Sequence, residues 1–115
     1  MEDPRTEAFK RLLDIMDELR LKCPWDKKQT FETLRCLTIE ETYELTDAIL
    51  ENKTDDMRGE LGDLMLHLVF YAKIADEQHL FNITDVLNGI CEKLIRRHPH
   101  IFSTTHVENA EDVKV

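Results

Sequence analysis

The sequence predicts an all-α protein that resembles a four-helix bundle with short connecting loops. Apolar residues recur at steps of three and four through most of the 115-residue chain, which is the pattern of helices with one face toward a core. No stretch alternates apolar and polar residues as a half-buried strand does. Prolines and polar breaks divide the pattern into four helical stretches.

The first predicted helix covers about residues 4–21. Pro4 suits a first helical turn, and apolar residues follow at helical spacing from Phe9 onward. The segment Cys-Pro-Trp-Asp at 23–26 ends this helix, because a proline disfavours helix at the residue before it. We expect a loop here, with Trp25 packed in the core, and a nucleotide-stacking role for Trp25 is the alternative.

The second and third predicted helices are joined by a polar turn. Thr30 is a candidate cap for the second helix, which reaches about Glu51. The turn covers residues 52–56, and Thr54 is the candidate cap for a third helix over about residues 55–79. Both helices carry the carboxylate pairs described below.

The fourth predicted helix begins near Asn82, with Asn82 or Thr84 as its candidate cap, and stops before His98-Pro99-His100. We expect Ile101 and Phe102 to pack back on the bundle. Residues 103–115 are polar and weakly patterned. The sequence therefore predicts one domain over residues 1–102, followed by a polar C-terminal tail.

Two carboxylate pairs interrupt the inward stripes of the second and third helices. The stripes read Leu34, Leu37, Glu41, Glu44, Ala48 and Glu60, Asp63, His67, Phe70, Ile74. Unpaired ionised carboxylates are costly to bury, so the pattern predicts a divalent cation between them. A solvated acidic surface is the alternative interpretation. Glu40 lies about 100° round the helix from Glu41, at the flank of the predicted site.

Oxygen ligands favour Mg²⁺, with Mn²⁺ as a substitute. A di-iron centre, the competing site in helical bundles, uses Glu-x-x-His pairs, and no histidine here has a glutamate three positions earlier. Lys93 and Arg97 share a face of the fourth helix, where they could clamp substrate phosphates. A solvated last turn is the alternative, since cations also favour a helix C-terminus.

The composition limits the classes of partner and the cellular compartment that we expect. The formal net charge of −9 opposes binding to a nucleic acid polymer or an anionic membrane, although a bound metal would allow a small phosphorylated ligand. The three cysteines form no Cys-x-x-Cys motif, so we expect reduced thiols. The N-terminus lacks a signal-peptide pattern and no apolar run is long enough to span a membrane. A cytoplasmic protein is expected.

Four motifs occur along the chain. They are Cys-Pro-Trp-Asp-x-x-Gln-Thr at 23–30, Glu-Glu-x-Tyr-Glu at 40–44, Glu-Leu-Gly-Asp at 60–63 and Arg-Arg-His-Pro-His-Ile-Phe at 96–102. In this order and spacing the chain resembles the MazG nucleoside triphosphate pyrophosphohydrolases over about residues 12–102. Each motif alone is weakly specific, but the set is highly specific.

The resemblance implies a role for each matching residue. The family's magnesium ligands match Glu41, Glu44, Glu60 and Asp63, and Glu40 matches the first glutamate of the same motif. Glu41 and Glu40 are therefore the candidate catalytic residues.

The resemblance also implies the substrate contacts. Basic residues that contact the triphosphate in the family match Lys93 and Arg97, with Arg96 and Trp25 as further candidates. The implied reaction hydrolyses a nucleoside triphosphate to a monophosphate and pyrophosphate, and so cleans nucleotide pools. Water would attack the α-phosphorus, activated by metal and a carboxylate base.

Family members are homodimers or higher assemblies, and they continue past the position of Val115. Many also carry a second copy of the domain, so the resemblance implies a shortened or minimal version here. Two other interpretations stay open, namely a nucleotide- or metal-binding regulatory module that turns over poorly and a helical interaction domain with solvated acids.

The third predicted helix itself indicates an oligomer. Apolar residues continue almost all round its middle, through Leu61, Leu64, Leu66, Leu68 and Val69. Such a helix is normally buried on all sides, and four short helices cannot surround it. We therefore expect a dimer or tetramer with an apolar interface centred on this helix.

Overall fold

The computed structural model describes residues 2–103, and its regular elements are all helices. They are α1 (Pro4–Lys22), α2 (Pro24–Lys27), α3 (Phe31–Leu50), α4 (Thr54–Glu77), α5 (Ile83–Arg97) and α6 (Pro99–Phe102). The all-α prediction is confirmed, and the four long helices match the four predicted ones closely. α2 is a single turn where a loop was predicted, and α6 is a single turn that follows the fourth predicted helix. Each begins at a proline, which suits a first helical turn. The predicted tail lies outside the described residues from position 104 onward.

α3 and α5 begin at caps that the sequence indicates. Thr30 Oγ1 accepts from the Thr33 N–H at 3.2 Å, and Thr33 Oγ1 accepts from the Thr30 N–H at 2.8 Å. Asn82 and Asp85 exchange the same pair of bonds, both at 3.0 Å. These reciprocal bonds satisfy backbone donors that a helix start leaves without intrahelical partners. They fix where α3, which carries part of the candidate site, begins.

The turn between α3 and α4 comprises residues 51–53. Asn52 has a φ of 58°, a left-handed conformation that asparagine tolerates better than most residues. The Lys53 carbonyl accepts from the Met57 N–H at 2.9 Å, so Lys53 is the cap residue. The prediction that Thr54 caps this helix is therefore wrong, because Thr54 is already the first helical residue.

The core lies where α1, α3 and the second half of α4 meet. Its fully buried side chains are Met16, Leu34, Val69, Phe70 and Ile74. Partly buried side chains surround them, namely Phe9, Leu12, Leu13, Phe31, Leu66 and Tyr71. α4 supplies most of the buried residues and contacts α1, α3 and α5. It is the central helix of the described chain.

Arg20, in the last turn of α1, links α1 and α2 to α4. Its Nη1 donates to the carbonyls of Asp26, Lys27 and Gln29 at 2.7, 3.1 and 3.0 Å. Its Nε donates to Glu77 Oε2 at 2.9 Å, and Nη2 bonds the other oxygen of that carboxylate. One guanidinium thus ties α1 and the turn of α2 to the C-terminal end of α4.

α5 does not close a four-helix bundle within this chain. It contacts α4 and α6 but neither α1 nor α3, and it has no buried residue. Its apolar positions Val86, Leu87, Ile90 and Leu94 are 39–45% exposed. α1 and α3 already cover the buried part of α4, so α5 is left with little of α4 to pack against.

Two predictions about burial are wrong. Ile101 and Phe102 do not pack back on the bundle, and both are exposed. Trp25 is 55% exposed rather than a core residue. All three residues lie in single-turn helices, and within residues 2–103 no element buries their side chains.

The cysteines at positions 23, 36 and 91 are free, as their spacing predicts. None of the helices in residues 2–103 combines the length and apolar character needed to cross a membrane.

Candidate metal centre

Three carboxylates converge between α3 and α4. Glu41, Glu60 and Asp63 each place one oxygen within 4.8 Å of the other two. The short turn at residues 51–53 folds α4 back along α3, and the three-residue step puts Glu60 and Asp63 on one face of α4. Three of the four predicted acids therefore converge from the two helices, and Glu44 is not one of the three.

Two oxygens of this cluster lack partners. Oε2 of Glu41 and Oε2 of Glu60 are closed to solvent, yet neither has a hydrogen bond. A buried polar atom without a partner costs free energy, and a cation bound between the helices would compensate both oxygens. Because all the converging atoms are carboxylate oxygens, the site suits a hard divalent cation.

The acids raise one another's pKa values. Interaction with the Glu41 carboxyl is the largest cause of the raised pKa of Glu60, and burial and the charge of Asp63 add to it. The negative charge of Glu60 is the largest cause of the raised pKa of Glu44, and Glu40 contributes as well. Glu44 therefore lies beside the converging carboxylates, and Glu40 lies near Glu44. In the described part of the chain no lysine or arginine forms an ion pair with any of them.

The predicted basic residues are not brought to the acids. Lys93, Arg96 and Arg97 lie on the last two turns of α5, which has no contact with α3. Lys93 and Arg96 are exposed, and Arg97 is half-buried. Within residues 2–103 only α4 and α6 contact α5, so Lys93 and Arg97 lie on a helix that α3 does not pack against. Their predicted role in binding triphosphate stays a prediction.

Trp25 lies far from the cluster along the fold. Its turn is tied through Arg20 to Glu77, whereas the acids lie near the start of α4. At 1.5 Å per residue, Asp63 and Glu77 are about 21 Å apart along the helix. Stacking of Trp25 on a nucleotide stays a prediction, because Trp25 and the acidic cluster are not close together within residues 2–103.

The sequence pattern does not indicate a polar group that lies next to the cluster. Thr38 Oγ1 lies 2.7 Å from His67 Nδ1 and 2.5 Å from the hydroxyl of Tyr71. His67 appeared in the sequence only as the continuation of the acidic stripe, and Thr38 lies between Leu34 and Glu41 with no distinguishing spacing. The indication in the sequence is His67 itself, a histidine at the point where the stripe becomes apolar with Phe70 and Ile74.

Comparison with known proteins gives one consistent result. The model of the MazG nucleotide pyrophosphohydrolase domain matches residues 29–102. The nucleoside triphosphate pyrophosphohydrolase of Escherichia coli K12 is 51% identical over 106 residues, which are 90% of this chain and 40% of that protein. The protein named nucleoside triphosphate pyrophosphohydrolase/pyrophosphatase MazG from Thermotoga maritima is 48% identical over 111 residues, which are 92% and 44% of the two chains.

A solved structure agrees with these sequence matches. The mazG-related protein from Thermotoga maritima superposes with a TM-score of 0.77 at 27% identity, over 90% of each chain. The present chain spans less than half the length of the two curated relatives described above. The matched domain contains both carboxylate pairs, and the chain belongs to the family of MazG nucleotide pyrophosphohydrolase domains.

Proposed function

We propose that the protein hydrolyses nucleoside triphosphates to nucleoside monophosphates and pyrophosphate in a Mg²⁺-dependent reaction. The observation that carries the proposal is the convergence of Glu41, Glu60 and Asp63 with two buried, unpartnered oxygens. Curated relatives of the same family carry the name of this activity. The cellular role would be to clear nucleotide pools in the cytoplasm, where such substrates occur.

Four carboxylates would hold the metal, namely Glu41, Glu44, Glu60 and Asp63. Glu44 would complete the set, since the charge of Glu60 already acts on it. When bound, Mg²⁺ would neutralise phosphate charge and favour ionisation of water, and Mn²⁺ could replace it. Glu40 is exposed and has no ion-pair partner among the described residues. It could therefore accept a proton from the attacking water, beside Glu41.

The triphosphate needs positive charge that the acids cannot supply. Lys93, Arg96 and Arg97 form no ion pair in the described chain, so their charges are available to phosphates. We propose that they clamp the triphosphate and that Trp25 contacts the base. The net charge of −9 supports a small nucleotide rather than a nucleic acid polymer as the ligand.

Pyrophosphate release from a panel of nucleoside triphosphates with Mg²⁺ tests the activity. We expect release by the parent and a loss on the order of 10²-fold or more in Glu41→Gln and in Arg97→Ala, if the latter stabilises transition-state charge. Metal-dependent nucleotide binding without release would instead support a regulatory module. Absence of both binding and release would leave an interaction domain with solvated acids.

We also propose that the chain assembles into a dimer or a higher oligomer. On α4, Leu61, Met65 and Leu68 recur at helical spacing and are exposed. The apolar face of α5 is likewise uncovered. A second copy that covers both faces would bury apolar surface and could bring the basic end of α5 toward an acidic cluster.

Light scattering at micromolar concentration tests the assembly. We expect at least twice the mass of one chain. Leu68→Glu should shift the mass toward one chain, because it places a charge in the proposed interface. The matched change Ile15→Glu, on an exposed position of α1, should leave the mass unaltered. A parent with the mass of a single chain at neutral pH would contradict the proposed assembly.

A further inference from the structure

A hydrogen-bonded group lies between the acidic cluster and the apolar core. Thr38 of α3 is three residues before Glu41, and His67 of α4 is four residues after Asp63. Thr38 Oγ1 contacts His67 Nδ1 at 2.7 Å and the hydroxyl of Tyr71 at 2.5 Å. His67 is only 9% exposed, so water contributes little to its hydrogen bonding.

One set of bond directions satisfies all three partners of Thr38. Thr38 Oγ1 also lies 3.1 Å from the Leu34 carbonyl oxygen, which can only accept. All three contacts can be hydrogen bonds at once only when the single hydroxyl proton of Thr38 goes to Leu34. The lone pairs of Oγ1 then accept from the Tyr71 hydroxyl and from His67 Nδ1–H. This arrangement assigns the ring proton of neutral His67 to Nδ1.

These bonds connect the two helices that carry the acids. Within residues 2–103 no ion pair joins α3 to α4, and the other polar side-chain interactions between these helices are among the acids themselves. On the side of the turn, the next residues on the same faces are the carboxylates Glu41 and Asp63, which repel each other in the absence of a cation. At this level the Thr38 bonds therefore add polar contacts to the turn and to the apolar packing of Phe31 and Leu34 against α4.

We propose that Thr38, His67 and Tyr71 position the metal ligands. Their hydrogen bonds hold α3 and α4 at the separation and register in which Glu41 meets Glu60. They do not touch the ion, and they act by restricting the arrangements of the carboxylates before the ion arrives. Such preorganisation lowers the cost of binding. The inference rests on the metal site proposed above.

Titration calorimetry with Mn²⁺ or Mg²⁺ alone tests the inference without any nucleotide. Thr38→Val keeps the shape of the side chain but removes Oγ1, and we expect the metal Kd to rise about 10-fold, the low end for residues that orient ligands indirectly. Tyr71→Phe should shift the Kd in the same direction by less. Thr42→Val is the matched control, because its hydroxyl bonds only the Thr38 carbonyl of the same helix, at 2.9 Å. Its Kd should equal that of the parent.

A second measurement reports on the network itself. Nitrogen-15 spectra of neutral His67 should show the Nδ1-protonated tautomer in the parent and a loss of this preference in Thr38→Val. An Nε2-protonated tautomer in the parent would overturn the bond assignment. The spectra and the metal titration therefore test separate parts of the inference.

The outcomes separate this inference from the proposed function. A parent that binds metal and a Thr38→Val variant with the same Kd would overturn the inference alone, even if the variant melted earlier. A parent that binds neither metal would defeat the proposed site and the inference together. If Thr38→Val does not fold, an unchanged Kd in Tyr71→Phe overturns the inference.

Discussion

The two halves of α4 differ in what they contribute. The first half carries Glu60 and Asp63, and its apolar residues Leu61 and Met65 remain exposed. The second half, from His67 to Ala75, contains all the buried residues of the helix. One continuous helix therefore places repelling charges at one end and most of the core at the other.

The residues that stabilise the fold and the residues proposed to bind metal are therefore separated along α4. The apolar packing of the second half (the core half) can hold α4 in place, while the like charges of the first half (the acidic half) repel one another. This repulsion lowers the stability of the metal-free chain, and a bound cation would relieve it. Changes in each half should therefore have different consequences.

The largest effect should come from the core half. Phe70→Ala should reduce the free energy of unfolding by about 3–5 kcal/mol, because it leaves a cavity among Met16, Leu34 and Ile74. Urea denaturation followed by circular dichroism measures this loss. Leu50→Ala, at an exposed position at the end of α3, is the control and should cost about 0.5 kcal/mol or less. Equal losses in the two variants would contradict the assignment of the core.

The next effect should come from metal at the acidic half. Saturation at a hundredfold excess over Kd should stabilise the protein by about 2.7 kcal/mol, seen as a higher urea midpoint with Mg²⁺ than with chelator. Asp63→Asn should abolish this gain yet raise the metal-free stability by removing repulsion. Asp56→Asn changes an acid outside the converging three and should keep the gain. An unchanged midpoint in the parent would argue against a metal site.

A smaller effect should follow from Arg20 at the far end of α4. Arg20→Met removes five hydrogen bonds, to Glu77 and to three carbonyls of the α2 turn. We expect a loss of about 2 kcal/mol, less than for a fully buried pair because Glu77 is partly exposed. Lys73→Met breaks the more exposed pair with Asp17 and should cost about 0.5 kcal/mol. Similar losses would show that Arg20 does not organise this end.

The smallest effects should appear in the pH dependence of stability, with opposite signs in the two halves. Arg20 lowers the pKa of Glu77 below the ordinary glutamate value of 4.5. The stability that Glu77 contributes is thus present above that value and is lost as the pH falls through its native pKa. Glu41 raises the pKa of Glu60 above 4.5. The contribution of Glu60 is present below 4.5 and is lost as the pH rises through its native pKa.

Urea unfolding with chelator over a series of pH values measures both effects. Glu60→Gln should remove a decline on the alkaline side, and Glu77→Gln should remove a decline on the acid side. Mg²⁺ should suppress only the first, because it binds the acidic half. A single slope that both variants alter equally would show that the two halves do not act separately.

The sequence could predict the features that depend on local pattern. The four long helices follow from the apolar spacing, and the caps at Thr30 and Asn82 follow from side chains that can bond the first helical N–H groups. The convergence of Glu41 with Glu60 follows from the stripes plus a short turn. These predictions succeed because helix geometry fixes which residues share a face.

The sequence could not predict which helix faces are covered by other elements. Lys93 and Arg97 share a face of the fourth predicted helix, and Trp25 and Phe102 are large apolar residues. Within residues 2–103, however, no element brings the cations to α3 or buries the two aromatic side chains. The bonds of Thr38 with His67 also depend on the separation of two helices, which spacing along the chain does not contain. The substrate contacts and the oligomeric state remain predictions for the same reason.

The turn at residues 51–53 has a consequence for the order of folding. Every proposed metal ligand lies on the two helices that this turn joins, so the site closes through contacts between near neighbours along the chain. Closing a short loop costs little entropy, and local contacts form quickly. We therefore expect α3 and α4 to pair early, before α1 docks. A cation present during refolding would then bind a partly folded chain and increase the folding rate, rather than only slow unfolding.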